Sequence, residues 1–366
     1  MSGNHRTNVL NDKKSVRRRG RAATIHEVAR HAGVSPMTVS RVVNGNSNVR
    51  PATRELVMQA VRELDYTPNP AARQLAAAPG MRIALIFTNP SSAYLSELVV
   101  GALRGASKSA VQLVIEAWDP ADVEAERVAA RALARSVSGV ILPPPLCESE
   151  AVVSELTEAG TPTVAIASGR SHEDVSCVRI DDHQASREMT AHLIALGHRQ
   201  IGYIQGAPNQ TASERRYEGF RAALEEAGIA LDAKLVEPGR FTYRSGLDAA
   251  ERLLARKQRP TAIFASNDDM AAAVVSVAHR RGLDVPRDLS VVGFDDTSAA
   301  TTVWPELTTI RQPIAAMAES AVDILVRGIR RRERDSKLLI VDHVVAHQLV
   351  RRDSVATRKA VSPKRK

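Results

Sequence analysis

Residues 34–45 read VSPMTVSRVVNG, and Ser35-Pro36 ahead of an apolar-periodic run marks the start of a helix. The Ser35 hydroxyl can accept from the free N–H groups of a first turn, and Pro36 at the first helical position gives up only a donor that has no partner there. Val39 and Val43, four apart, are expected inward, which sets Met37, Thr38 and Arg41 on the outer face of a helix from Ser35 to about Asn44. Upstream, Thr24 and Glu27 have capping-box spacing and predict a helix over about 25–32, with Gly33 supplying the turn between the two. Downstream, Pro51 to about Leu64 reads as a third helix with Leu56, Ala60, Val61 and Leu64 inward. Two short helices across a Gly turn with a third behind them make a helix-turn-helix, whose outward second helix enters the DNA major groove.

The stretch YTPNPAARQLAAAPG follows at 66–80, where Asn69 can cap and Pro70 can open a helix that Pro79-Gly80 must end. Such a helix is shorter than the ~12–15 residues that hold alone in water, so something else must stabilise it. From Met81 the pattern changes to short apolar runs: RIALIFT (82–88), VQLVIEAW (111–118), GVILPP (139–144), PTVAIAS (162–168), QIGYIQG (200–206), TAIFAS (261–266) and LSVVGFDD (289–296). Continuous apolar strands alternating with helical segments imply parallel sheets covered on both faces, and this many units imply two sheets.

A chain of 366 residues with 44% hydrophobic and 25% charged residues suits a soluble multidomain protein. No apolar run of ~18 residues occurs, and the basic N-terminus lacks an apolar segment after it, so neither membrane insertion nor export is expected and the cytoplasm is the expected compartment. Cys147 and Cys177 show no metal-ligand or disulfide pattern. Of the net charge of +9, residues 1–22 and 351–366 together carry +12, which leaves the rest slightly acidic. Basic tails add salt-dependent affinity for nucleic acid. The acidic pairs Asp181-Asp182, Asp268-Asp269 and Asp295-Asp296 sit at run ends or helix starts, where caps and ligand acceptors are commoner than acid/base pairs; no P-loop, GxGxxG, HExxH or GxSxG accompanies them, so no enzyme and no cofactor or metal is expected.

TIHEVARHAGVSPMTVSRVVNGNSNV, YTPNPAARQLA, ASREMTAHLIALGHRQIGYIQG, ERRYEGFRAAL, IFASNDDMA, LSVVGFDD and PELTTIRQP occur in order over about residues 23–353. Together they resemble the LacI/GalR (lactose repressor) family of bacterial transcription regulators. The resemblance implies an all-α helix-turn-helix headpiece (23–68) and a hinge helix with linker (69–80), between basic tails at 1–22 and 354–366. Between them it implies a two-lobed α/β core with parallel sheets, similar to type I periplasmic binding proteins, over 81–353. The N-lobe is expected at about 81–182 and 312–341, and the C-lobe at about 183–309 and 345–352.

By this resemblance Pro36, Met37 and Arg41 touch base edges, Arg41 by donating two hydrogen bonds to guanine, while His26, Ser35, Thr38, Ser40 and Asn44 contact phosphates. Ala72 and Leu75 fall in the hinge, Leu75 matching the leucine that a dimer inserts as a pair into the minor groove. Arg216 matches the arginine that grips an effector, Asn267 and Asp295 match residues that receive its hydroxyls, and Tyr94 and Phe241 match aromatic walls. This set suits a sugar. The expected function is a repressor released from a pseudo-palindromic operator by a sugar-like effector; a nucleobase co-repressor switch and a free sugar-binding protein are the alternatives. The partners implied are double-stranded operator DNA, a small-molecule effector and a second copy of the chain. Assembly is expected to stop at a homodimer, because VATRKAVSPKRK after Ser354 carries no leucine heptads. Two departures stand out: Arg50 precedes Pro51 where relatives often carry a capping Ser, and AIASG at 165–169 lacks the Asp often found at that strand end.

Overall fold

The computed structural model describes residues 23–43, 49–66, 81–88, 91–119, 122–335 and 339–358. It divides into two compact units, Met1–Gly80 and Met81–Lys366. In the first, α1 (Ile25–His31) begins at Thr24, whose hydroxyl accepts from Glu27 N at 3.3 Å while Glu27 Oε2 accepts from Thr24 N at 2.6 Å. Helix α2 (Pro36–Val43) starts on Ser35, whose Oγ accepts from Thr38 N at 3.2 Å. Gly33 turns the chain between them in the left-handed region, at φ +66°. Arg50, before α3 (Pro51–Glu63), makes no side-chain cap.

The inward stripe is displaced by one residue on two of these helices. Val42 rather than Val43 is buried with Val39, and Val57 rather than Leu56 is buried with Ala60. Leu56 is 55% exposed, and Val43, Val61 and Leu64 only flank the core. At about 100° per residue, i,i+3 and i,i+4 pairs straddle one line on a helix, and the neighbouring helix decides which position is covered.

In the second unit, β1 (Arg82–Phe87), β2 (Gln112–Ala117), β3 (Gly139–Leu142), β4 (Thr163–Ile166), β5 (Ser176–Arg179) and β11 (Asp342–Val344) form a parallel sheet ordered β11-β5-β4-β3-β1-β2. A second parallel sheet, ordered β7-β6-β8-β9, contains β6 (Ile201–Ile204), β7 (Val236–Glu237), β8 (Ala262–Ala265) and β9 (Ser290–Val292). Strands β10 (Thr309–Arg311) and β12 (Gln348–Val350) pair antiparallel. The helices are α4 (Ser92–Ser109), α5 (Val123–Ala134), α6 (Glu150–Glu158), α7 (Asp182–Ala195), α8 (Thr211–Glu226), α9 (Tyr243–Leu254), α10 (Asp268–Arg280), α11 (Ser298–Thr302) and α12 (Ile314–Asp335).

Every apolar run read from the sequence holds a strand; six are buried as expected, while β2, at the sheet edge, is mostly exposed. Alternate side chains enter opposite cores: Ile83 and Leu85 pack with residues of α4 and α12, while Ala84 and Ile86 pack with α5 and α6. Helices α4 and α12 approach closely because Gly101 has no side chain; a Cβ there would lie 2.1 Å from Ala315 O. In each sheet the first strand sits between the second and third, so a topological switch point lies between β1 and β3 and another between β6 and β8. Ligands of open parallel sheets bind at the carboxyl ends of strands beside such points.

Two expected boundaries move. Strand β11 belongs to the first sheet, so that segment runs past 341 to Val344. Residues 354–358 are not a free tail: Ser354 is fully buried, its Oγ donating to Val291 O at 2.5 Å and accepting from Thr308 N at 2.8 Å, and Arg358 N donates to Leu196 O at 2.7 Å. Cys147 and Cys177 are buried and unbridged. Among the described residues no helix is long and apolar enough to cross a membrane.

Candidate functional site

On α2 the outer face is the one anticipated. Met37 is 64% exposed, Pro36 and Arg41 are also exposed, and no acid lies on this helix. His26 is exposed on the first turn of α1. Ser35 and Thr38 are joined by their hydroxyls at 2.9 Å, which fixes both at the helix start. Ser40 is half-buried beside them. Asn44, Ala72 and Leu75 lie outside the described residues.

In the second unit, Tyr94, Arg216, Phe241, Asn267 and Asp295 line one cavity of about 380 Å³. They arrive from the carboxyl ends of strands in both sheets: Tyr94 after β1, Arg216 after β6, Phe241 after β7, Asn267 after β8 and Asp295 after β9. The cavity thus occupies the position that the switch points define.

Arg216 is aimed by packing. Phe220, one turn further along α8, stacks on Tyr203 of β6 with ring centroids 4.5 Å apart, and Tyr203 meets Phe264 edge-on at 5.4 Å. Positions four apart share a helix face, so seating Phe220 on the sheet turns Arg216 toward the cavity. There its Nε donates to Asp182 Oδ1 at 2.7 Å and its Nη1 to Ser266 O at 2.6 Å, with Asp295 Oδ1 at 3.7 Å from Nη1. The guanidinium lies 3.6 Å from the Phe294 ring centroid. Asp295, at φ +112°, accepts from Gln312 Nε2 at 2.6 Å. Burial pushes its carboxyl up to about 7, against the pull of Arg216.

Asn267 holds two elements together. Its Oδ1 caps α10 by accepting from Met270 N at 3.0 Å, and its Nδ2 donates to Phe241 O at 2.9 Å. Phe241 sits at φ +60°, an unfavourable region for a bulky residue, and its ring covers Gly206, where a Cβ would fall 2.0 Å from the ring. Asn267 is therefore helix cap and cavity wall at once, with one amide hydrogen left for a ligand.

Two atoms of lining residues, the Tyr94 hydroxyl and Gln312 Oε1, are buried without a hydrogen-bond partner among the described residues. Burial also raises the Tyr94 hydroxyl above the usual phenol range, so it is neutral and able to donate. Ala167, in the strand-end segment that lacks an Asp, lines the wall, while Ser168 turns away and donates to Glu148 Oε1 at 3.1 Å. At that rim Thr211 Oγ1 donates to the same Glu148 oxygen at 2.5 Å and accepts from Gly169 N at 2.9 Å, which ties the first sheet's loops to the start of α8.

The headpiece matches the family "Bacterial regulatory proteins, lacI family" over residues 24–69, and residues 190–355 match the "Periplasmic binding protein-like domain". The HTH-type transcriptional regulator CelR of Thermobifida fusca is 36% identical, over 91% of this chain and 98% of its own. The chain belongs to the LacI family.

As a LacI-family member it is a DNA-binding transcriptional regulator, with a helix-turn-helix headpiece and a two-lobed α/β core of parallel sheets. A solved structure described as the CelR–cellobiose complex superposes with a TM-score of 0.68 at 33% identity, covering 91% of this chain and 99% of that one. The lac repressor dimer bound to operator and the anti-inducer ONPF gives a TM-score of 0.72 at 29% identity, covering 92% and 100%. The LacI-like motifs supplied Arg216, Asn267 and Asp295 from sequence but not their partners. Asp182 was visible only as half of an acidic pair, whose other half, Asp181, caps α7 by accepting from Gln184 N at 2.9 Å. Gln312 lay unremarked inside PELTTIRQP, at the return of the chain to the first sheet's side.

Proposed function

We propose that this regulator is a cytoplasmic repressor that binds a pseudo-palindromic operator as a homodimer and is released by a small, uncharged, sugar-like effector seated in the core cavity. The observation that carries the effector reading is the pair of buried polar atoms without a partner among the described residues, Tyr94 Oη and Gln312 Oε1, on the lining residues of a cavity whose lining cation, Arg216, is paired with Asp182. An ion-paired guanidinium, a carboxyl, three amides and a phenol offer directed hydrogen bonds without net positive charge, which suits hydroxyl groups better than a phosphate or carboxylate.

At the operator, Arg41 reads a guanine, Pro36 and Met37 make apolar contact with base edges, and His26, Ser35, Thr38, Ser40 and Asn44 hold phosphates. The hinge, with Ala72 and Leu75, folds on DNA, Leu75 entering the minor groove with its partner's copy. The similarity to the solved CelR–cellobiose complex supports a sugar. Calorimetry with a panel of hexoses, disaccharides and nucleobases, paired with operator titration, tests the reading: sugar that binds and weakens operator affinity supports it, and a nucleobase that tightens operator affinity replaces it with a co-repressor switch.

A further inference from the structure

Two passages of the chain between the lobes run side by side. After β9 the chain leaves the second sheet through β10 and enters α12, which packs on the first sheet. It returns from β11 through β12 to Ser354, which is bonded to Val291 of β9. Strands β10 and β12 pair antiparallel, Thr309 opposite Val350 and Arg311 opposite Gln348. This ribbon bridges the lobes, and two strands by themselves are only marginally stable in water.

The side chain that fastens the ribbon is Asp296. Its carboxylate is 4% exposed and takes one arginine from β10 and one from just beyond β12. Oδ2 accepts from Arg311 Nε at 2.6 Å, and Oδ1 meets Arg352 Nη2 at 2.6 Å as an ion pair outside hydrogen-bond geometry. Arg352 is itself seated, its Nη1 donating to Leu307 O at 2.8 Å and its N to Thr308 Oγ1 at 2.9 Å, so one carboxylate ties the outgoing strand to the returning one.

Asp296 directly follows Asp295, which lines the cavity. The two lie at φ +58° and φ +112°, conformations that a residue other than Gly keeps only where its surroundings fix them. Asp295 N donates to Ile310 O at 2.8 Å, and its carboxylate accepts from Gln312, so the cavity acid and the ribbon anchor are bonded to successive residues of the same crossing segment.

We infer that Asp296 is the positioning residue that couples the effector cavity to the bridge between the lobes: it holds β10 and β12 through Arg311 and Arg352 and passes a shift of Asp295 on to them. This rests on the effector reading of the cavity and adds the route by which occupancy reaches the lobes.

Asp296→Asn removes the charge and keeps a side chain that tolerates positive φ. Hydrogen-exchange mass spectrometry on the full-length protein without ligand should show residues 307–313 and 345–352 exchanging at least about ten-fold faster than in the parent, with β1 and β8 unchanged. Operator titration then reads the coupling, with glucose, galactose, cellobiose, maltose, lactose and hypoxanthine as probes at saturation. For the probe that shifts operator affinity most in the parent, Asp296→Asn should keep probe affinity within about three-fold and cut the operator shift from about 5- to 150-fold to below about two-fold. Arg311→Gln, at a half-exposed position, should act in the same direction, and the double variant no further. If Asp296→Asn also quickens exchange in β1 and β8, Arg311→Gln alone decides.

Ribbon exchange at parental rates, or a loosened ribbon with parental coupling, overturns the inference and leaves the effector reading standing. Loss of probe binding in Asp296→Asn would place the residue's role in the cavity and also overturns it. A parent whose operator affinity none of the probes alters overturns the effector reading, and the coupling role with it.

Discussion

Arg216 Nε donates to Asp182 Oδ1 at 2.7 Å, and both side chains are buried. Burial, with a smaller push from Asp181, raises the Asp182 carboxyl above the usual range, and Arg216 is the main opposing influence. The arginine is therefore a structural counter-ion as well as a cavity wall. Arg216→Ala should abolish effector binding and also cost about 3–5 kcal/mol of core stability, because it strands a buried carboxylate. Arg216→Ala with Asp182→Ala should recover much of the stability and none of the binding. Urea unfolding beside calorimetry separates the two effects; single and double variants of equal stability would mean the pair carries no such coupling.

Asn267 offers a way to detach the aromatic wall without unfolding α10. Ser also caps helices, so Asn267→Ser should keep the N-cap to within about 1 kcal/mol while removing the donor that fixes Phe241 O. The positive-φ residue is then free to relax, and effector affinity should fall about ten-fold with little change in the unfolding midpoint. Equal affinity in parent and variant would show that the Phe241 conformation is held by other contacts.

The carboxyl of Asp295, raised to about 7 by burial, titrates near neutral pH. If ligand hydroxyls donate to it, the ionised form binds better, so effector affinity should rise between about pH 6 and pH 8 with release of a proton. The sign for stability is opposite: the folded state holds this proton more tightly than the unfolded chain does. Its stabilising contribution is complete below the unfolded carboxylate pKa of about 3.9 and is lost as pH rises toward 7. Asp295→Asn should flatten both dependences. Calorimetry in buffers of different ionisation enthalpy reads the proton directly, and an affinity independent of pH in the parent would contradict the assignment.

How far the sequence could be read depended on the range of the interaction involved. Local signals were sufficient for the capping box at Thr24, the Ser35-Pro36 helix start and the seven apolar strand runs, because each is decided within a few residues. Strand β5 (SCVR), β11 (DHV) and β12 (QLV) are short and carry polar residues; their strand character comes from neighbours far along the chain. The same holds at the site. Arg216, Asn267 and Asp295 stood in motifs, but Asp182 lies 34 residues from Arg216 and Gln312 lies 17 from Asp295, and only the tertiary fold pairs them. The expectation of Val43 instead of Val42, and of Leu56 instead of Val57, is off by one position because α2 and α3 each offer two adjacent apolar residues.

On the exposed face of α2, Arg41→Ala should relax preference at one base pair per half-site by about 1–3 kcal/mol and leave the other positions intact. Leu75→Ala should instead lower affinity and DNA bending together, without changing which bases are preferred. A gel-shift competition against operators substituted one pair at a time distinguishes these patterns; uniform loss across all positions for Arg41→Ala would make it a phosphate contact.

The central claim is that the core cavity controls the headpiece's hold on DNA. Fluorescence anisotropy titration of an inverted-repeat operator, with and without the sugar that calorimetry identifies, at saturation and fixed salt, measures it directly. The account predicts a fall in operator affinity of about 5- to 150-fold, a coupling of about 1–3 kcal/mol, and no change for Arg216→Ala; operator affinity that is unaltered or tightened by bound sugar in the parent would contradict it.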